Sequence, residues 1–502
     1  MVQVERMLEP QAIQSETVKQ IVEYYRLIWA LEHMQGLARW DLETYMPEEG
    51  VRGRAVARAE VAQLIQRLML NKEFVRLIER AEGEGGLTDV ERGIIRVLRR
   101  DLRYFQRVPP EVVRGFAKAT SEAFAAWRKA KERARFELFA PHLERIVELS
   151  RVIADKLGYD EHPYDALLDL REEGLTRRDV EDIFSTLEPA IKGLLSKLEA
   201  RGWPERHPLE GVPYDRGGLE AAIMEVLEAL GYPKGRFRVD TSPHPFSIGI
   251  APPYDVRVTI RHKDVDFREP LLSALHEYGH ALYELGIEES LAMTPVGSGA
   301  SLGVHEGQSR LLENMIGRSR EFIERMSPIL RRHLPFLAEY SEEDLFHYFN
   351  LVRPSPIRVE ADEVTYNLHI LLRYRLECML MAGEVRVSQL PELWSLESER
   401  LLGVRPKDDA EGVLQDVHWS HGSIGYFPTY TVGNVVAATI YYKHGRIPEL
   451  VSAGDFASIR EYLRERVHRW GSVYPPKELL MRSFGETYNA QLLVKYLEGK
   501  YG

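Results

Sequence analysis

The sequence predicts a mainly helical protein interrupted by one small β-sheet. Three observations carry this. Apolar residues recur at three- and four-residue spacing through most of the chain, the pattern of helices that bury one face. One short segment, 255–261, alternates instead. Val256, Val258 and Ile260 fall on one side and Asp255, Arg257, Thr259 and Arg261 on the other, the period of a half-buried strand. Prolines stand between the helical stretches, at Pro47, Pro109, Pro110 and Pro141, where they start helices or punctuate loops.

Taken in order, 18–36, 56–70, 90–105 and 139–157 read as helices, with 41–50 and 201–218 irregular. The character changes near 236. Segments 236–240 and 246–250 read as two further short strands, and 262–264 as a tight turn. Helices resume at Pro270 and continue nearly to the end. No repeat of fixed period, low-complexity tract or long linker interrupts the chain. One continuous body is therefore expected, with an N-terminal helical lobe over 1–235 and a region carrying the candidate site over 236–502, not independent domains.

Composition narrows the function. The chain has 502 residues, 44% hydrophobic and 28% charged, enough apolar surface for a large core. A net charge of -11 argues against a nucleic-acid binder, which needs a basic surface. The single cysteine, Cys378, rules out an intramolecular disulfide and a thiolate metal cage and fits a reducing, cytoplasmic setting. The first residues, MVQVERMLEPQ, carry charges where a signal peptide needs an apolar run, and no apolar run approaches the roughly 20 residues of a membrane span. Abundant charges of both signs suit heat resistance.

The segment 270–286, PLLSALHEYGHALYELG, carries the candidate chemistry. Pro270 suits a first helical position and Gly286 a residue just past the end. Leu271, Leu275, Tyr278, Leu282 and Leu285 form an apolar stripe. His276 and His280 are four apart, one turn apart on one face, so two imidazoles can share one Zn²⁺. Glu277, rotated by about 100° from His276, can miss the metal and still reach water beside it. A catalytic zinc usually takes a third protein ligand. The helix expected over 301–317 offers Glu306, Glu313 and His305, and spacing alone does not choose among them. Glu306 is preferred, because a carboxylate a few tens of residues after HExxH is the glutamate-type zincin arrangement. Glu313 then becomes a group that orients a histidine.

Six ordered motifs surround this centre: His244-Pro245-Phe246; Asp255-Val256-Arg257-Val258-Thr259; His276-Glu277-Tyr278-Gly279-His280; His305-Glu306-Gly307-Gln308; Ile357-Arg358-Val359-Glu360-Ala361-Asp362; and Gly412-Val413-Leu414-Gln415-Asp416-Val417-His418-Trp419. With them the chain resembles the carboxypeptidase Taq family of thermostable metallocarboxypeptidases, without departure at any motif. The resemblance implies a gluzincin-type, nearly all-helical body of two lobes around a deep groove, related to neurolysin and angiotensin-converting enzyme. It implies a homodimer that removes single residues from peptide C-termini with broad specificity. It also implies His276, His280 and Glu306 as ligands of zinc, with cobalt as a metal that also supports activity.

The chemistry expected on this reading is attack of activated water on the scissile carbonyl, with Glu277 as general base and then proton donor to the leaving amine. A hydrogen-bond donor must face the developing oxyanion. Tyr430, Tyr426 and His418 are the candidates, with Tyr430 first by its resemblance to the tyrosine of neurolysin-like enzymes. The alternative is that these rings pack as an aromatic core against Phe427. Arg358, from its family motif, is the choice for the substrate carboxylate, against a structural ion pair with Asp362 one turn on. His244 lines the leaving-group side or caps a strand. Asp255 and Arg257 brace the sheet, and the exposed edge of their strand is expected to pair with an extended substrate. The rival activities are an oligopeptidase or a dipeptidyl carboxypeptidase with the same site and, in another class, a non-catalytic helical peptide-binding protein.

Overall fold

A computed structural model describes residues 13–203 and 206–502. The first twelve residues, which include the charged opening MVQVERMLEPQ, lie outside the described residues. The chain forms two compact units. One comprises the described residues of Met1–Leu102, Arg206–Phe349 and Ile440–Thr487, the other those of Arg103–Glu205, Asn350–Thr439 and Tyr488–Gly502.

The helical periods translate directly into helices, generally longer than their apolar cores. The expected helix over 18–36 runs over Glu16–Thr44, where Ser15 accepts a hydrogen bond from the Val18 amide as N-cap. That over 90–105 runs over Asp89–Arg107, and that over 139–157 over Ala140–Leu157. Pro110 and Pro141 sit at helix starts, as their missing N–H favours. Among the described residues no helix is long and apolar enough to cross a membrane.

The sheet lies in the first unit. Its strands are β1 (Phe237–Thr241), β2 (Ser247–Ala251) and β3 (Asp255–Ile260). Their order is β1-β3-β2, with β1 parallel to β3 and β2 antiparallel to it. This corrects one expectation: β3 has no free edge for an extended peptide, because both its sides are already paired. Val256, Val258 and Ile260 are buried as the alternation predicts. Thr259 departs from the polar side. It is fully buried, and its hydroxyl accepts from Ser242 Oγ at 2.7 Å and the Phe246 amide at 3.1 Å, so its burial leaves no orphaned group. Arg257 and Asp255 form a two-point ion pair at 2.7 and 2.8 Å, within β3 itself.

Candidate active site

The HEYGH helix spans Arg268–Gly286. It begins two residues before Pro270 and includes Gly286 as its last residue. Leu271, Leu275, Tyr278 and Leu282 of the stripe are buried while Leu285 is half-buried, and Leu272, Ala274, Glu277, Gly279, Ala281, Tyr283 and Glu284 are buried as well. The helix is sunk on nearly every face, between β2 and β3 on one side and the 302–316 segment on another. Gly279 makes that second contact possible. A Cβ there would stand 2.4 Å from Ser309 Cα and 2.6 Å from the Gln308 carbonyl oxygen, so only glycine admits this approach.

The single helix expected over 301–317 is an α-helix over Leu302–Arg310, capped by Ser301, followed by a wide π turn over Leu311–Ile316. Such turns occur often at functional sites. Here it carries Glu313, whose Oε2 lies 2.8 Å from His276 Nδ1. Glu306, on the preceding α-helical part, meets the other nitrogens: its Oε2 is 3.7 Å from His276 Nε2 and 3.6 Å from His280 Nε2. These separations exceed a hydrogen bond. They match donors that each stand about 2 Å from one shared centre. Among the described residues His276, His280 and Glu306 form the group whose ligand atoms all lie within 4.8 Å of one another. Two imidazoles and a carboxylate are a donor set that suits zinc. His305, the third contender, sits behind His280, its Nδ1 3.3 Å from His280 Nδ1.

Electrostatics sharpen the picture. Burial opposes charge on Glu306, but Arg310 and the two histidines hold its carboxyl well below the usual range. Arg310 donates to Glu306 Oε1 at 2.7 Å and to Glu313 Oε2 at 3.1 Å, tying both carboxylates to one guanidinium. Burial pulls the His280 imidazole down to about 4, which keeps it neutral as a ligand must be. Burial also acts on His276, yet Glu306 and Glu313 outweigh it and raise that pKa. Glu277 is buried, and burial pushes its carboxyl up to about 7.

The remaining candidates except His244 lie in the second unit. Arg358 is buried and does not pair with Asp362. Its Nε reaches Asp416 Oδ1 at 2.9 Å, and one terminal nitrogen reaches the Tyr366 hydroxyl at 3.2 Å. Arg358 opens a 3₁₀ turn (Arg358–Glu360), and Ala361 is extended, so no helical turn links 358 to 362. Asp362 instead accepts from the amides of Val364 and Thr365 ahead of the Tyr366–Ala382 helix. Arg373, fully buried, takes Asp416 Oδ2 at 2.6 Å and Gln415 Oε1 at 2.7 Å. Two guanidiniums thus share one carboxylate. Burial lowers His418 to about 4, with both arginines adding to the effect, so it contributes no charge.

His418 Nε2 lies 3.2 Å from the Tyr430 hydroxyl, and its ring packs at a tilt against Phe427 with centroids 4.5 Å apart. The Tyr426 and Tyr430 rings are 5.4 Å apart. Both tyrosines are half-buried, with Tyr430 in the first turn of the Pro428–His444 helix. His244, in the first unit, is exposed. Its carbonyl accepts from Ser242 Oγ at 2.5 Å in the turn between β1 and β2.

Sequence reasoning passed over four residues. Arg310 stands four residues after Glu306 and three before Glu313, a spacing that signals the double bridge. Asp416 and Gln415 lay inside a quoted motif without a role. Glu377 has no sequence signal. Its buried carboxylate collects Tyr164 Oη at 2.6 Å, Trp419 Nε1 at 2.7 Å and the Gly425 amide at 3.0 Å.

A mainly helical body with this HExxH helix and a glutamate on the next one is that of a metallopeptidase. The family description "Carboxypeptidase Taq (M32) metallopeptidase" matches residues 20–501. The chain is 49% identical to thermostable carboxypeptidase 1 of Pyrococcus furiosus, over 98% of this chain and 99% of that one. It is 38% identical to thermostable carboxypeptidase 1 of Thermus thermophilus, over 96% and 97%. Its backbone superposes on a solved Pyrococcus furiosus carboxypeptidase with a TM-score of 0.96 at 48% identity, covering 98% and 100% of the two chains. The M32 carboxypeptidase of Deinococcus radiodurans gives 0.93 at 34% identity, covering 97% and 99%. The chain belongs to the carboxypeptidase Taq (M32) metallopeptidase family, with the family's mainly helical, gluzincin-type fold.

Proposed function

We propose that this metallocarboxypeptidase removes residues singly from peptide C-termini, with broad specificity, as a cytoplasmic homodimer. The observation that carries the reading is the convergence of His276 Nε2, His280 Nε2 and Glu306 Oε2, with Glu277 on the same helix as two of them. Zinc is the metal we assign, with cobalt as a substitute. Bound there, it supplies Lewis acidity to the scissile carbonyl and lowers the pKa of water.

The chain's own groups do the rest. Glu277, buried and with a pKa lifted toward neutrality by that burial, takes a proton from the attacking water and passes it to the leaving amine. Glu313 accepts from His276 Nδ1–H and so presents Nε2 as the ligand atom. Tyr430 is our first choice to donate to the negative charge that develops on the carbonyl oxygen, with its hydroxyl oriented by His418; Tyr426 is the second. Arg358 receives the substrate's terminal carboxylate. In support, Arg358 and Arg373 outnumber Asp416, which leaves one buried positive charge that an anion would balance. The names of the relatives support thermostability.

The test is product analysis on an N-acetylated peptide with and without a chelator. Single residues appearing in succession, lost on chelation and restored by Zn²⁺ or Co²⁺, support the reading. Release of dipeptides or internal fragments would replace it with a dipeptidyl carboxypeptidase or an oligopeptidase.

A further inference from the structure

The two histidines of the HEYGH helix are backed by different partners. His276 Nδ1 meets a carboxylate directly, that of Glu313. His280 Nδ1 meets another imidazole, His305 Nδ1, at 3.3 Å, and His305 Nε2 in turn lies 2.7 Å from Glu284 Oε1. An ionised carboxylate only accepts, so His305 Nε2 carries the hydrogen facing Glu284. With its hydrogen on Nε2, His305 presents a bare Nδ1, which accepts. His280 Nδ1 must donate to it, and His280 Nε2, the atom that faces Glu306, is left as a bare lone pair.

The surroundings hold this chain in one arrangement. The Tyr283 ring lies 4.7 Å from the His305 ring, and its hydroxyl is fixed by the Ala300 amide at 3.0 Å. Gly299 leaves no slack beside both rings, since a Cβ there would stand 2.4 Å from the His305 ring and 3.0 Å from the Tyr283 ring. Glu284 is buried.

We propose that His305 and Glu284 are positioning residues that fix the tautomer and orientation of His280 and so set how tightly the metal is held. This rests on the reading of His276, His280 and Glu306 as ligands. It gives His305, the first residue of the HEGQ motif, a role separate from that of its neighbour Glu306.

The experiment is a competition titration of the purified full-length protein with Co²⁺ against a chelator. The Co²⁺ absorption spectrum and the thermal midpoint of the metal-free protein are recorded alongside. His305→Phe keeps a ring against Tyr283 but offers no acceptor. It is expected to weaken Co²⁺ binding about 10- to 100-fold and to alter the spectrum. His305→Gln, whose amide oxygen can accept from His280 Nδ1–H, should recover part of the loss and serves if the phenylalanine variant does not fold. Glu284→Gln still accepts from His305 and removes only the charge, so its loss should be the smaller, under about 10-fold. His280→Ala tests the ligand reading itself. If it binds Co²⁺ like the parent, that reading fails and the proposal falls with it. If His280→Ala loses the metal while both His305 variants that fold bind it with parental affinity and spectrum, the positioning chain alone is overturned.

Discussion

The first unit and the second each bury a knot of charged side chains, and the two are built with opposite bias. Around the HEYGH helix, two carboxylates, Glu306 and Glu313, face two histidines and are partly neutralised by Arg310. Around Asp416, one carboxylate is shared by Arg358 and Arg373, and the adjacent His418 is kept neutral. The first arrangement aims oxygen and nitrogen lone pairs at one point and suits a cation. The second holds a surplus guanidinium and suits an anion. The difference teaches that burial alone does not define a site: the sign left over after internal pairing states which ligand completes it.

The comparison is open to direct attack. The largest effect is expected from Glu277→Gln, which removes the proposed base and leaves the three proposed ligands intact. Turnover should fall by about 10³-fold or more while bound metal, measured by elemental analysis, stays at the parental level. Next comes Asp416→Asn, which strands two buried guanidiniums. It should cost about 3–5 kcal/mol, read as a lower unfolding midpoint in denaturant, and a parental midpoint would show that the knot does not need its carboxylate. Arg358→Ala should lower kcat/KM about 10²-fold on peptides with a free C-terminus. An equal loss on C-terminally amidated peptides, where any cleavage is measurable, would make its role structural. Metal removal should lower the thermal midpoint in a way that depends on free metal, with about 4 kcal/mol of stabilisation at a thousandfold excess over Kd.

A pH dependence is expected in the second unit. Burial lifts the Glu377 carboxyl from the ordinary 4.5 to about 7. Between those values the unfolded chain has released its proton and the folded protein still holds it. Stability is therefore highest below about pH 4.5, falls as pH rises toward 7, and is flat above, by about 3 kcal/mol from this group. Glu377→Gln should remove that slope from denaturant midpoints measured across the window.

The sequence made the helices and the pair of candidate histidine ligands legible for a physical reason: both depend on spacing along one element. His276 and His280 are one turn apart wherever their helix sits, and Glu306 follows on the next helix. Relations across elements were hidden. The pairing of β3 on both sides follows from β1 running parallel to it, and no alternation within 255–261 encodes a neighbour. Arg358 was weighed against Asp362 because helical spacing would join them. Its carboxylate came from Asp416, more than fifty residues on, because the backbone at 358–361 is not an α-helix. Glu377 was invisible, since its three donors come from stretches far from it in sequence, one at 164 and one at 419–425.

Gly279 carries a consequence of its own. It touches neither a ligand atom nor the substrate carboxylate assigned to Arg358, yet it sets how near the helix of Glu306 can come to that of His276 and His280. A methyl group there would act as a spacer wedged between two plates. The helix of Glu306 would have to retreat, with the carboxylate's own chemistry unchanged. Metal affinity in a Gly279→Ala protein would then work as a gauge of interhelical distance, and the site would fail first as a fit and only afterwards as a reaction.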